Sequence, residues 1–177
     1  MTPWRVLCLS GSLRRVSANT ALLQAARHLA PAGLELQLYA GLEGLPLFNP
    51  DDEIEPLPAA VAALREAVGA SDALLIACPE YAHGVPGAFK NLLDWLVGSL
   101  EFPGKPVALL NASARGSFHA RAALREILVT MSARLVVFAT VPLPGTGCEV
   151  GTILADPARC GELRDAMAAL VEALAAR

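Results

Sequence analysis

A chain of 177 residues, 54% apolar but only 5% aromatic, is long enough for one domain that buries a sizeable aliphatic core. Its formal net charge of −3 at pH 7 and its scattered arginines argue against a nucleic-acid surface, and no apolar run approaches the ~20 residues that span a bilayer. The four cysteines (Cys8, Cys78, Cys148, Cys160) show no C-x-x-C spacing and no metal pattern with the three histidines, which fits free buried thiols in a reducing cytoplasm. No basic-then-apolar targeting signal is expected ahead of the first strand.

The first stretch, WRVLCLSGSLRRVSAN, sets the pattern for the rest. Val6-Leu7-Cys8-Leu9 is an unbroken apolar run, as expected of a parallel strand buried on both faces. Ser10-Gly11-Ser12 ends it, and from Ser17 onward Ala21, Leu22, Ala25, Ala26 and Leu29 recur at helical spacing. A strand, a short glycine loop and a helix N-terminus bring backbone N–H groups and the helix dipole onto one point, an anion cradle. Ser12, Ser17 and Asn19 add side-chain donors, and Arg14 and Arg15 add charge. An ordinary βα turn, with Ser and Asn serving only as caps, is the plain alternative.

Sharper motifs compete for the same loop. No Gly-Lys-Ser/Thr follows at Walker A spacing, and Gly11 stands alone where a dinucleotide fold needs G-x-G-x-x-G. Cys8, Gly11 and Arg14 do spell C-x-x-G-x-x-R, the spacing of a cysteine phosphatase loop, with Asp156-Pro157 as a possible late acid. A nucleophilic thiolate needs exposure and positive surroundings, whereas Cys8 lies inside the apolar run.

Further along, Leu34 to Tyr39 alternates like an edge strand, and 41–58 is a proline-rich loop around LPLFNPDDE that precludes regular structure. A helix over 59–69 leads to a buried strand over 72–78, then to PEYAHGVPGAFKNLLDWL, where Pro86 suits a helix start and Leu92, Leu93, Leu96 and Val97 form the apolar face. A strand over 105–110 opens into NASARGSFHARA before a helix over 120–132. A strand over 135–141, a Gly/Pro-rich loop over 142–157 and an amphipathic helix over 161–176 close the chain. Five strands alternating with five helices imply a parallel sheet covered on both faces. In a five-stranded order 2-1-3-4-5, ligands bind beyond the first and third strands, whose loops here are SGSLRRVSAN and PEYAHGVPG. One grips a phosphate and the other walls a flat ring, with Asn111 to His119 alongside; FMN has that shape.

GSLRRVSAN, LPLFNPDDE and PEYAHGVPGAFKNLLDW resemble the NAD(P)H-dependent FMN reductases, a flavodoxin-like group that includes quinone, chromate and azo-dye reductases. The likeness runs from the first strand to about Ala133. It implies an α/β flavodoxin-like three-layer sandwich, a single FMN-binding domain over 1–177. By resemblance Gly11, Ser12, Leu13, Arg14, Ser17, Ala18 and Asn19 hold the phosphate, and Pro79, Glu80, Tyr81 and Ala82 border the isoalloxazine, with Ser113 as the loop serine. It also implies hydride transfer from NADPH or NADH through FMN to quinones, azo compounds, free flavin or metal oxyanions, in ping-pong fashion with no protein nucleophile. Two departures stand out. Ala82 replaces the Asn usual after PEY, and Phe118-His119 replace paired glycines.

His83 and His119 sit on the expected mouth loops and are the candidate acids. Arg14 or Arg15 is a candidate for the nicotinamide 2′-phosphate. Lys90, Asn91, Asp94 and Trp95 share one helix, and a Trp flanked by a charged pair suggests a subunit interface of a homodimer or homotetramer. The rival at the level of class is a flavodoxin-type electron carrier without nicotinamide activity, against which the weak net charge and the loop arginines speak.

Overall fold

The computed structural model describes residues 2–144 and 148–176. Strands β1 (Trp4–Ser10), β2 (Leu34–Leu38), β3 (Ala73–Ala77), β4 (Pro106–Ser113) and β5 (Arg134–Leu143) form one sheet in the order β2-β1-β3-β4-β5, with every neighbouring pair parallel. Helices α1 (Ala18–Leu29), α2 (Ala59–Gly69), α3 (Gly87–Val97), α4 (Phe118–Thr130), α5 (Val150–Leu154) and α6 (Pro157–Ala175) cover it. The expected flavodoxin-like order 2-1-3-4-5 is the observed one.

Side chains alternate across the sheet, so each central strand feeds two cores. Val6, Cys8, Ala73, Leu75, Ala77, Ala108 and Leu110 point to α1, α5 and α6. Leu7, Leu9, Leu74, Ile76, Val107 and Leu109 point to α2, α3 and α4. The first face is rich in Ala and Cys. The second holds the large rings Phe89, Trp95 and Phe102, all fully buried.

Trp95 corrects the expectation of an interface tryptophan. Its exposure is 0% within this one chain, and its indole N–H donates to the Pro46 carbonyl at 2.8 Å. Asn91, one turn earlier, donates to the same carbonyl at 2.8 Å and accepts from the Phe48 N–H at 2.7 Å. The Phe48 ring meets Trp95 edge-on, with centroids 5.0 Å apart. Asn91 and Trp95 of the K-N-x-x-D-W stretch therefore clamp the 41–58 loop to α3. Arg65, paired with Glu53, holds the same loop from α2 and donates to the Trp95 carbonyl. Lys90 and Asp94 form an i,i+4 ion pair near the surface, which is worth a few tenths of a kcal/mol. Val97, expected on the apolar face of α3, is 62% exposed.

The remaining differences lie at element ends. The 41–58 loop contains two 3-10 turns, Leu42–Gly44 and Pro50–Asp52. β4 runs past Leu110 to Ser113, because β5 extends with it; Asn111 pairs with Thr140, and Ser113 with Leu143 across a bulge. α4 begins at Phe118. Within the loop expected over 142–157, α5 is an additional helix, and residues 145–147 lie outside the described ones. α6 starts earlier than expected because Asp156 caps it, its carboxylate accepting from the Ala158 and Arg159 amides at 3.0 and 3.4 Å. β2 and β5 are the sheet edges. On β5 Phe138 is 46% exposed, and the Arg121 guanidinium lies over its ring at 4.0 Å.

Candidate functional site

The loops after β1, β3 and β4 meet at the carboxyl edge of the sheet, where ligands of open α/β folds bind. The β1 loop is pinned at Gly11, whose N–H donates to the Ala77 carbonyl at 2.8 Å. A Cβ there would stand 2.7 Å from Cys78 Sγ and 3.2 Å from Cys78 Cα. Glycine is therefore required by the close approach of two backbones rather than by the ligand. Ser10 and Thr20 hydroxyls bond at 2.8 Å across the loop, and Ser12 Oγ accepts from the Arg14 N–H at 3.3 Å. Ser17 is the N-cap of α1 and accepts from Thr20 N–H at 3.4 Å. Asn19, in the first helical turn, is buried, and its amide has no protein partner among the described residues.

The β3 loop turns back on itself. Tyr81 and Gly84 exchange backbone hydrogen bonds of 3.1 and 2.9 Å, and between them Ala82 (φ 47°) and His83 (φ 58°) both occupy the left-handed region. A tight turn with two positive φ values favours Asn, Asp or Gly. The conformation thus gives a backbone reason for an Asn at the position of Ala82. Pro86 then caps α3 with its fixed φ.

The β4 loop is shaped by Asn111, which is buried; its amide donates to the Gly116 carbonyl at 3.2 Å and its Oδ1 accepts from the Ser113 N–H at 3.1 Å. Ser117 (φ 45°) leads into α4. Glu80 crosses from the β3 loop and its Oε2 accepts from the Ala120 N–H at 2.9 Å. That carboxylate fills one of the unpaired amide positions at the α4 N-terminus, where negative charge is favoured. It ties two of the three loops together.

Between the loops lies a cleft of about 440 Å³. Of the residues read from the sequence, Ser12, Arg14, Ser17, Ala18, Asn19, Pro79, Glu80, Tyr81 and Ser113 line it. Gly11 and Leu13 do not: the first is packed under the loop, and the second points outward and is exposed. Arg15 is exposed and also stands apart from the wall. Ala82 lies instead in an adjoining annex of about 440 Å³, which shares Glu80, Ser113, Arg115 and Ser117 with the cleft. The annex also holds His83, His119 and Phe118. The two imidazoles, 36 residues apart in sequence, stack with centroids 4.3 Å apart at an interplanar angle of 10°. Sequence reasoning missed Cys78, Arg115, Leu143 and Pro144 as wall residues. Arg115 sits in the loop already flagged, but Leu143 and Pro144 reach the cleft only because β5 outruns its expected end.

The phosphatase alternative fails here. Cys8 is fully buried on β1, and burial pushes its thiol up to about 12, so no thiolate forms near neutral pH. Asp156, the supposed acid, is committed to capping α6. Burial likewise raises the Cys78 thiol to about 12 at the back of the cleft.

The cleft fits FMN on its own terms. Polar groups converge at a helix N-terminus, where the Ser17 and Asn19 side chains line the wall, and a Pro-Glu-Tyr loop faces them across a space within the ordinary range for ligand pockets. Known proteins agree with this architecture. The family model described as NADPH-dependent FMN reductase matches residues 4–146. An NAD(P)H-dependent FMN reductase of Pseudomonas aeruginosa is 45% identical over 129 residues, 71% of this chain and 69% of that protein. A quinone reductase of Escherichia coli K12 is 36% identical over 141 residues, 75% of this chain and 73% of that one. Among solved structures, the flavoenzyme NAD(P)H:(acceptor) oxidoreductase FerB of Paracoccus denitrificans superposes with a TM-score of 0.80 at 27% identity, covering 98% of both chains. The chain belongs to the NADPH-dependent FMN reductase family, and it is an NAD(P)H-dependent flavin oxidoreductase.

Proposed function

We propose that this chain works as a single FMN-binding domain that reduces quinones at the expense of NADPH or NADH in the cytoplasm, as a homodimer or homotetramer. The observation that carries the reading is the buried Asn19–Ser17 corner at the N-terminus of α1, facing the Pro79–Tyr81 wall across the cleft. The names of the relatives as FMN and quinone reductases support it, and none favours an electron carrier. Free thiols at all four cysteines suit a reducing compartment, and among the described residues no helix is long and apolar enough to cross a membrane.

When bound, FMN supplies the acceptance of hydride from the nicotinamide and its onward transfer. The chain's part is to hold and orient. Ser12, Ser17, Asn19 and the first amides of α1 hold the phosphate, and Arg14 adds charge beside them. Pro79, Glu80, Tyr81 and Ser113 border the ring. Arg115, on the cleft wall, would supply a second cation that favours the negative charge of the reduced flavin. Exposed Leu100 (92%) and Val97 at the end of α3, rather than Trp95, support the proposal of self-association, which sedimentation tests.

The decisive experiment is a titration of purified protein with FMN, followed by anaerobic addition of NADPH. One flavin per chain should bind with quenching of its fluorescence, and NADPH should bleach its visible absorbance. Ser17→Ala and Asn19→Ala should each weaken binding by about 1–3 kcal/mol, the effect of leaving a buried phosphate oxygen unpaired. Unchanged affinity in both variants would place the phosphate elsewhere.

A further inference from the structure

A recess of about 490 Å³ lies between α4 and β5, and it shares no lining residue with the flavin cleft. It follows from the spacing of residues on α4. Ala120, Leu124 and Leu128 make the buried stripe of that helix, while Phe118, Arg121, Ala122 and Arg125, at i, i+3, i+4 and i+7, form a second stripe on its flank. The small side chain of Ala122 leaves room there. β5 supplies the facing wall. It is an edge strand, and its register against β4 skips Val136, so that Leu135, Val136 and Val137 all reach the recess together with Phe138. Apart from Arg121 and Arg125, every lining residue is apolar. Neither arginine has a carboxylate partner among the described residues. Arg121 reaches the Gly116 carbonyl at 3.5 Å and lies over the Phe138 ring. The single carboxylate on α4 and β5, Glu126, is not in the wall, and Arg134 at the start of β5 donates to the Ala173 carbonyl at 3.2 Å. The wall of the recess therefore carries two positive charges and no negative one.

We infer that this recess binds an amphiphilic carboxylate, a medium-chain fatty acid, with its chain along β5 and its head group at Arg121 and Arg125. The shape favours a chain. Four consecutive residues of β5 and two turns of α4 each run about 10 Å, so the space is longer than it is wide. Its volume falls in the ordinary range for ligand pockets. The wall along β5 is mostly aliphatic, and Arg121 already covers one face of the Phe138 ring, which leaves little for a flat ligand to stack on. The charges favour an acid. Arg121 and Arg125 stand one helical turn apart on the same flank, about 5–6 Å between Cβ atoms, close enough for both guanidinium forks to meet one carboxylate. A neutral molecule with the same chain gains the apolar contact alone. An inorganic anion gains the charge alone, on a rim open to water. The inference does not depend on the flavin reading, since the recess lies outside the cleft.

The test is an NMR titration of the full chain, with FMN added, using octanoate as the acid and 1-octanol as its neutral counterpart. Octanoate is expected to bind saturably, to shift the backbone amides of 121–125 and 135–138, and to bind about tenfold more tightly than 1-octanol. Arg125 is exposed and unpaired, so Arg125→Gln leaves the fold intact; it should remove most of that tenfold preference and leave 1-octanol unchanged. Ala122→Leu, also at an exposed position, fills the recess and should weaken both compounds together. Equal affinity for the two compounds overturns the inference. So do shifts confined to the amides of 12–19, which would make the acid a ligand of the cleft. Absence of saturable binding overturns it as well, and if the 135–138 amides then move on dilution of the protein, a second copy of this chain covers the recess instead. A protein that takes up no flavin ends the cleft reading but is titrated with octanoate in the same way, which keeps the two failures apart.

Discussion

Ala82 shows how much one residue in an unfavourable backbone state matters. Its φ of 47° is available to Ala only with strain, and its neighbour His83 is in the same region. Ala82→Asn is expected to raise unfolding free energy by about 0.5–1 kcal/mol, read as a higher urea midpoint at unchanged slope. A lower midpoint would mean that the turn is held by something other than its own backbone. The sequence shows that Ala82 departs from the family pattern, but not that the position needs a positive φ, since nothing in PEYAHG sets the turn type without its strand. The stack of His83 and His119 was illegible for a similar reason, because two loops 36 residues apart meet only in the folded sheet. Ser17, by contrast, was legible: a Ser just ahead of an apolar-periodic run is a cap wherever it sits.

At the scale of elements, α3 and the 41–58 loop form one unit through Asn91, Trp95 and Arg65. Trp95→Ala is expected to lower stability by about 3–5 kcal/mol, since it empties a fully packed site and leaves the Pro46 carbonyl with Asn91 as its one remaining side-chain donor. A melting temperature that drops equally at all protein concentrations marks a core residue. A drop that depends on concentration would restore the interface role. The signal that places Trp95 inside was present in the sequence. Position 95 belongs to the stripe of Phe89, Leu92, Leu93 and Leu96, and the charged pair at 90 and 94 lies off it. Strand cores were read well, because runs such as Leu74-Leu75-Ile76 admit no other burial. Strand ends were not, because the length of β4 is decided by its pairing with β5.

For the whole molecule, three loops share one cleft, and on the proposed function donor and acceptor use it in turn. Initial rates with NADPH varied at several fixed quinone concentrations should give parallel double-reciprocal lines, with each substrate competing against the other at high concentration. Intersecting lines would require both to be bound together and would end the shared-site model. The strand order and the pairing of the first and third loops were legible, because alternation of buried strands with helices leaves few topologies. The split of the open end into cleft and annex was not, since it depends on Glu80 reaching α4 and on where β5 stops.

The open side of β5 bears on handling rather than chemistry. A ten-residue strand paired on one side only is a template on which another chain can add, and the partly bare ring of Phe138 makes that side adhesive. Arg121, laid across the ring, keeps a fixed charge over the sticky spot. That is the place of a gatekeeper charge, and Arg121→Ala is expected to shorten the time that concentrated protein stays in solution.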